Sequence, residues 1–136
     1  MRVVDASVAL RWYVRASGSD AAVSILEGED VLVAPDLVVA EVCNSAWKLV
    51  RAGEITKQHA ARIAAAVPSA FSALVATPRL ASRAIALANE LDHPVYDCLY
   101  LTLAEQETTS VVTADRRLLS KLEGTPWQHL AQSLLP

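Results

Sequence analysis

The stretch RVVDAS at residues 2–7 joins a short apolar run to an acid and a hydroxyl. Because Val3 and Val4 are adjacent, both faces of this segment are apolar, which is typical of a strand buried in a parallel sheet. Similar short runs occur at residues 31–34 (VLVA) and 110–113 (SVVT). Segments with helical periodicity separate these runs. We therefore predict an α/β fold in which helices cover both faces of a short parallel sheet.

Helical patterns fill most of the remaining chain. Gly53 ends the long pattern that begins at Pro35, and Thr56 can cap the next one. Residues 71–76 are ambiguous between strand and loop, whereas residues 126–129 predict a last short strand before a brief C-terminal helix. The predicted helices span Ala6–Arg15, Ser19–Glu27, Pro35–Arg51, Thr56–Val67, Arg79–Leu91, Val95–Glu107 and Asp115–Leu122.

The composition indicates one folded domain over residues 1–136. Hydrophobic residues make up 53% of the 136 and charged residues 20%, with only 4 Gly and 6 Pro, which excludes a disordered or collagen-like chain. The formal net charge is −3, so a nucleic-acid site must arise from a local patch of cations. No apolar stretch approaches the roughly 20 residues of a membrane span, and we expect no membrane association.

The two cysteines, Cys43 and Cys98, form neither a CxxC motif nor a Cys/His pattern typical of a zinc site. This spacing argues against a disulfide scaffold. The N-terminus lacks the pattern of a signal peptide, because its apolar run ends at once in Asp5. We therefore expect a cytoplasmic protein.

Acids stand at positions where a fold of this class binds ligands. Asp5 and Asp115 each follow a predicted strand, and ligands of such sheets bind beyond the carboxyl ends of the strands. Glu41 and Asp97 lie in strongly apolar helices and have no Lys or Arg three or four positions away. An acid on an apolar helix must be paired, hydrogen-bonded, protonated or bound to a cation.

Simpler roles remain open for each acid taken alone. Asp5, Asp97 and Asp115 are placed to cap helices or bond loop amides, and Glu41 can pair with a distant Arg. Two carboxylates about 5 Å apart repel each other by about 3 kcal/mol at an effective dielectric constant of 20. Oxygen ligands without His or Cys favour Mg²⁺ or Mn²⁺ over zinc. A shared cluster therefore indicates phosphodiester hydrolysis supported by a divalent cation.

The acids fall within segments that resemble the four motifs of PIN-domain ribonucleases, and more closely those of VapC-type toxins of bacterial toxin–antitoxin pairs. These segments are VVDAS at residues 3–7, PDLVVAEV at 35–42, YDCLYLTLA at 96–104 and TADRRL at 113–118. The resemblance covers nearly the whole chain. It implies a three-layer α/β/α PIN-like domain and the activity of a metal-dependent endoribonuclease.

The resemblance also implies the roles of individual residues. The catalytic and metal-binding acids would be Asp5, Glu41, Asp97 and Asp115. Ser7 and Thr113 would support the carboxylates, and Mg²⁺ or Mn²⁺ would promote in-line attack of water on phosphorus. A small antitoxin protein would block the site, and the toxin would form a homodimer.

This chain departs from the family pattern at two places. Cys98 stands where the third motif commonly has Ala, and Arg117 and Leu118 follow the fourth acid, where some relatives carry a further acid. The second departure puts a tightly held second metal ion in doubt. His93, four positions before Asp97, is predicted to be a loop residue rather than a catalyst, since the proposed chemistry needs no histidine base.

Binding of RNA would depend on cations that lie close to the acids in sequence. Each of them can equally belong to a solvated helix face, so only their sum would give salt-dependent binding. The candidates are Arg11, Arg15, Lys48, Arg51, Arg116 and Arg117.

Other functions find less support in the sequence. Phosphoryl transfer through an aspartyl phosphate requires a second acid two positions after Asp5, where this chain has Ser7. The chain contains neither GxxxxGK[ST] nor GxSxG, so nucleotide hydrolysis and serine hydrolysis lack their motifs. A non-catalytic PIN-fold module that binds RNA or protein is the remaining alternative.

Overall fold

The computed structural model describes all 136 residues, and a five-stranded sheet organises them. All four neighbouring pairs of strands are parallel, and the strand order is β3-β2-β1-β4-β5. The strands are short: β1 Arg2–Val4, β2 Leu32–Pro35, β3 Ala73–Val75, β4 Val111–Thr113 and β5 Ala131–Ser133.

Seven α-helices flank this sheet and complete a three-layer α/β/α fold, as the sequence predicts. Because crossovers between parallel strands are right-handed, the reversal of strand order after β3 places the helices before β3 on one face of the sheet and those after β3 on the other. The first group is α1 Ala6–Leu10, α2 Ser19–Glu27, α3 Leu37–Arg51 and α4 Lys57–Ala66. The second group is α5 Ala81–Leu91, α6 Val95–Gln106 and α7 Arg116–Leu122.

The core explains why these strands are apolar on both faces. Val3 and Val4 are fully buried, with α6 packed against β1, β2 and β4. Helix α6 is itself buried along most of its length, from Cys98 to Ala104. Helix α3 instead buries one stripe, formed by Val38, Val42 and Ala46, and leaves its other faces for solvent or for ligands. None of the helices combines the length and apolar character that a membrane crossing requires.

The sheet reverses its order between β1 and β4, and this reversal positions the candidate site. Chain connections lead from β1 outward to β2 and β3, then return to β4 on the other side of β1. A crevice therefore opens beyond the carboxyl ends of these two central strands. Asp5 and Asp115 are the residues that follow at this crevice, Asp5 directly after β1 and Asp115 two positions after β4.

The first helix is shorter than its sequence pattern predicts. It ends at Leu10 rather than Arg15, because the side chains that follow it donate hydrogen bonds to backbone carbonyl oxygens and stabilise a non-helical turn. The Arg11 guanidinium donates to the carbonyl oxygens of Ser7 (2.6 Å) and Ser17 (2.7 Å). The indole of Trp12 donates to the Ala22 carbonyl oxygen at 2.8 Å, which fixes the turn against α2.

The C-terminal prediction of a strand at residues 126–129 followed by a helix is wrong. A short 3-10 turn at Gln128–Leu130 leads into β5, and no helix follows. Strand β5 pairs with β4 along the edge of the sheet and is mostly exposed, so its residues carry no apolar alternation. The ambiguous segment at residues 71–76 contains β3, and a 3-10 turn at Thr77–Arg79 precedes α5, which begins later than predicted.

Candidate active site

The four acids singled out in the sequence line one pocket of about 290 Å³ at the reversal of the sheet. The end of β1 supplies Asp5, the loop after β4 supplies Asp115, and α3 and α6 supply Glu41 and Asp97. No Lys or Arg forms an ion pair with any of the four. The remaining residues that line the pocket are Ala6, Ser7, Asn44, Ser45, Lys48 and Tyr100.

Asp5 is the most firmly held of these acids. Its side chain caps α1 by accepting from the Val8 amide, and its Oδ1 also accepts from the Ser7 hydroxyl at 2.5 Å. Its Oδ2 accepts a short hydrogen bond from the Thr113 hydroxyl. Burial raises the pKa of Asp5 to about 6, opposed by these three hydrogen bonds and reinforced by the nearby charge of Asp97.

Glu41 is held from across the pocket rather than from its own helix. Its Oε1 accepts from the Tyr100 hydroxyl at 2.6 Å, while Oε2 accepts no hydrogen bond from the protein. Burial raises the pKa of Glu41, the Tyr100 hydrogen bond lowers it, and the charges of Asp97 and Asp5 raise it again. A pairing of Glu41 with a distant Arg, one of the simpler roles, is absent.

Asp97 and Asp115 follow the same pattern, in which one oxygen is bound and the other is left open. The His93 imidazole donates from Nε2 to Asp97 Oδ2 at 2.6 Å, because an ionised carboxylate can only accept. Asp115 Oδ1 caps α7 by accepting from the Arg117 amide at 2.9 Å. Helix capping and a place in the pocket are therefore compatible for Asp115.

Hydroxyl groups connect the two strand-end acids. The Thr113 hydroxyl that donates to Asp5 also accepts from the Asp115 amide at 3.0 Å. The Ser7 hydroxyl likewise accepts from the Ala114 amide at 3.0 Å while it donates to Asp5. Ser7 and Thr113 thus both donate hydrogen bonds to Asp5, and Thr113 is fully buried.

The donor set fits a hard divalent cation that keeps much of its hydration. No three His, Cys, Asp or Glu side chains converge as a complete set of ligands. Mg²⁺ is usually held by one or two carboxylates together with water and substrate phosphates, so a complete protein cage is not required. Glu41 and Asp97 each offer a carboxylate oxygen that accepts no hydrogen bond from the protein. No Lys or Arg side chain forms an ion pair with any acid of this pocket.

The structure separates Lys48 from the other candidate RNA-binding cations. Lys48 lies two turns along α3 from Glu41 and lines the pocket. Arg15 pairs with Asp20 at 2.8 Å on the surface, and the Arg51 guanidinium lies 5.0 Å from the ring centre of Trp47. The other candidates that do not line the pocket are Arg11, Arg116 and Arg117.

Two side chains that bond the candidate acids were not among the residues selected from the sequence. Tyr100 lines the pocket through its hydroxyl, although its ring belongs to the core. His93 lies in the loop before α6, as predicted, and it also hydrogen-bonds Asp97. The sequence spacing could have identified both residues. His93 and Tyr100 stand four positions before and three positions after Asp97, which is the spacing of neighbours on one helix face.

Comparison with known proteins supports the sequence motifs. The PIN domain family model matches residues 2–124 of this chain. The chain is 32% identical over 121 residues to Ribonuclease VapC3 from Pyrobaculum aerophilum, which covers 88% of this chain and 92% of that protein.

Two solved structures share the fold. The crystal structure of PAE2754 from Pyrobaculum aerophilum matches with a TM-score of 0.67 and 29% identity, over 91% of this chain and 81% of that one. A toxin–antitoxin complex from Klebsiella pneumoniae contains a chain that matches with a TM-score of 0.72 over 98% of both chains. The identity to that second chain is 16%.

Proposed function

This chain belongs to the PIN domain family, and from that premise we propose that it is a metal-dependent endoribonuclease acting as the toxin of a toxin–antitoxin pair. The observation that carries the proposal is the convergence of Asp5, Glu41, Asp97 and Asp115 on one pocket without a paired Lys or Arg. Clustered carboxylates cost stability through mutual repulsion. A cation that performs chemistry on phosphate explains why the chain tolerates them.

Mg²⁺ or Mn²⁺ bound in this pocket would supply an acidified water and neutralise charge on the phosphate oxygens. The candidate ligands are Asp5, Glu41, Asp97 and Asp115. Ser7 and Thr113 hold Asp5 in place through hydroxyl hydrogen bonds, so its position does not depend on the cation. Lys48 is the cation best placed to bind a phosphate of the RNA strand, because its side chain lines the same pocket.

The proposed partners follow from the relatives. One relative is named a ribonuclease, which supports RNA as the substrate, and one structural neighbour is part of a toxin–antitoxin complex, which supports an antitoxin as the inhibitor. We propose a single nuclease domain over residues 1–136 that works in the cytoplasm. Homodimerisation is also proposed, and light scattering after size-exclusion chromatography tests it. A clean monomer at micromolar concentration would reject the dimer.

The decisive experiment is RNA cleavage by the purified chain in the presence of Mg²⁺, Mn²⁺ or EDTA. We expect internal cleavage with either metal, none with EDTA, and none with Glu41→Gln. The matched control is Glu54→Gln, since Glu54 is exposed in the turn after α3 and does not line the pocket. RNA binding without cleavage under all conditions would favour the non-catalytic binding module instead.

A further inference from the structure

Tyr100 joins the protein core to the candidate active site. Its side chain is only 2% exposed and lies on α6, which packs against three strands of the sheet. The hydroxyl nevertheless reaches the pocket and donates to Glu41 Oε1 at 2.6 Å, across 59 positions of sequence. Phe would fill the core equally well, so packing does not account for the hydroxyl.

The hydrogen bond selects which oxygen of Glu41 is available. A glutamate has three rotatable side-chain bonds, and Glu41 has no Lys or Arg to hold it. Once Oε1 accepts from Tyr100, Oε2 is the oxygen without a protein donor. The rigid ring of Tyr100, fixed in the core, therefore limits how Glu41 can present its carboxylate to the pocket.

We propose that Tyr100 is a positioning residue, whose hydroxyl fixes Glu41 Oε1 so that Oε2 serves as a ligand of the catalytic cation. This inference rests on the proposed function and adds a residue that does not itself touch the cation. Removing a residue that orients a metal ligand typically lowers metal affinity or activity about 10- to 100-fold.

The test is Tyr100→Phe, which keeps the ring in the core and removes the hydroxyl alone. Mn²⁺ affinity is measured by calorimetry without RNA, and RNA cleavage is then titrated with Mn²⁺. We expect Mn²⁺ affinity to fall about 10- to 100-fold. The metal concentration for half-maximal cleavage should rise by the same factor, whereas excess metal should restore most of kcat.

The matched control is Thr102→Val on the same helix. The Thr102 hydroxyl is buried but has no hydrogen-bond partner, and it lies outside the pocket. Its removal should leave Mn²⁺ affinity and the cleavage titration unchanged. Equal losses in Tyr100→Phe and Thr102→Val would indicate a general packing effect and overturn the proposal.

A double-mutant cycle with Glu41→Gln identifies the residue through which Tyr100 acts. If the hydroxyl works through Glu41, Tyr100→Phe should cause no further loss of Mn²⁺ affinity in the Glu41→Gln background. Wild-type Mn²⁺ affinity in folded Tyr100→Phe, or additive losses in the cycle, would overturn the inference while leaving the nuclease proposal intact. A wild-type chain that binds no Mn²⁺ and cleaves no RNA would overturn both.

Discussion

Thr113 donates its hydroxyl to Oδ2 of Asp5, a residue 108 positions earlier in the chain. This hydrogen bond ties the carboxyl ends of β1 and β4 together at the point where the sheet reverses its order. The same hydroxyl accepts from the Asp115 amide, so one buried side chain sets the positions of two candidate acids. The pocket is therefore built on the carboxyl ends of the two central strands.

Asp97→Asn should abolish RNA cleavage without unfolding the protein. The change removes the charge of a candidate ligand but keeps a side-chain oxygen that can accept from His93. We expect the cleavage rate to fall at least about 100-fold, the scale seen when one preorganised electrostatic contact is lost. Cleavage of a defined RNA and circular dichroism provide the measurements.

The matched control for that variant is Asp92→Asn. Asp92 is an exposed acid in the turn before α6, with a positive φ of 48° that Asn also tolerates. The Asp92→Asn protein should cleave RNA at the wild-type rate. Turnover by Asp97→Asn at that same rate would remove Asp97 from the mechanism.

Mg²⁺ or Mn²⁺ should raise the melting temperature, because a cation that binds only the folded state relieves repulsion among the acids. At ten times the dissociation constant, the gain is about 1.4 kcal/mol, or a few degrees for a chain of this length. Thermal melts with and without EDTA measure the shift. The absence of any shift at millimolar metal would count against a shared cation site.

Asp5→Asn should make the free energy of unfolding of the metal-free protein less dependent on pH. Burial raises the pKa of Asp5 from 3.8 to about 6, so the folded state binds a proton more readily than the unfolded state. The contribution of Asp5 to the free energy of unfolding therefore falls as the pH rises from about 4 to about 6. The full loss is about 3 kcal/mol.

Urea unfolding in EDTA at several pH values tests this sign. Relative to the wild type, Asp5→Asn should gain stability as the pH rises, and the gain should level off above about pH 7. The same variant should not cleave RNA. A stability difference between the two proteins that stays constant from pH 4 to pH 7 would contradict a buried, charged Asp5.

Lys48→Ala should weaken RNA binding and reduce its dependence on salt. Loss of one phosphate contact lowers the slope of log affinity against log salt concentration by about 1. Binding is best measured with the inactive Glu41→Gln protein, so that the RNA stays intact. Arg15→Ala serves as the comparison, because Arg15 pairs with Asp20 and does not line the pocket. The Arg15→Ala protein should bind RNA with the same affinity and salt dependence as its parent.

Production of this chain alone should arrest the growth of its host, and co-production of the cognate antitoxin should relieve the arrest. Asp97→Asn should be harmless at equal abundance, since the arrest requires RNA cleavage. Colony counts after induction, with protein levels checked by immunoblotting, provide the measurement. Growth unaffected by soluble, active protein would contradict the toxin role but leave the nuclease proposal standing.

Much of the fold could be predicted from the sequence, for a local physical reason. Adjacent Val3 and Val4 make both faces of one short strand apolar, and only a strand covered by helices on both sides buries such a pattern. The exposed edge strand Ala131–Ser133 was missed because edge strands need no apolar alternation. The early end of α1 was missed because Arg11 bonds to carbonyl groups across a turn.

The sequence by itself determined which acids needed an explanation, since Glu41 and Asp97 stand on apolar helices without a cation one turn away. Only the tertiary structure decided what holds them. Tyr100 reaches Glu41 from a helix on the opposite face of the sheet, a contact that depends on how α3 and α6 each pack against the strands and that local periodicity does not encode. Helical spacing assigns a residue to a face, but the folded chain alone determines which distant side chain meets that face.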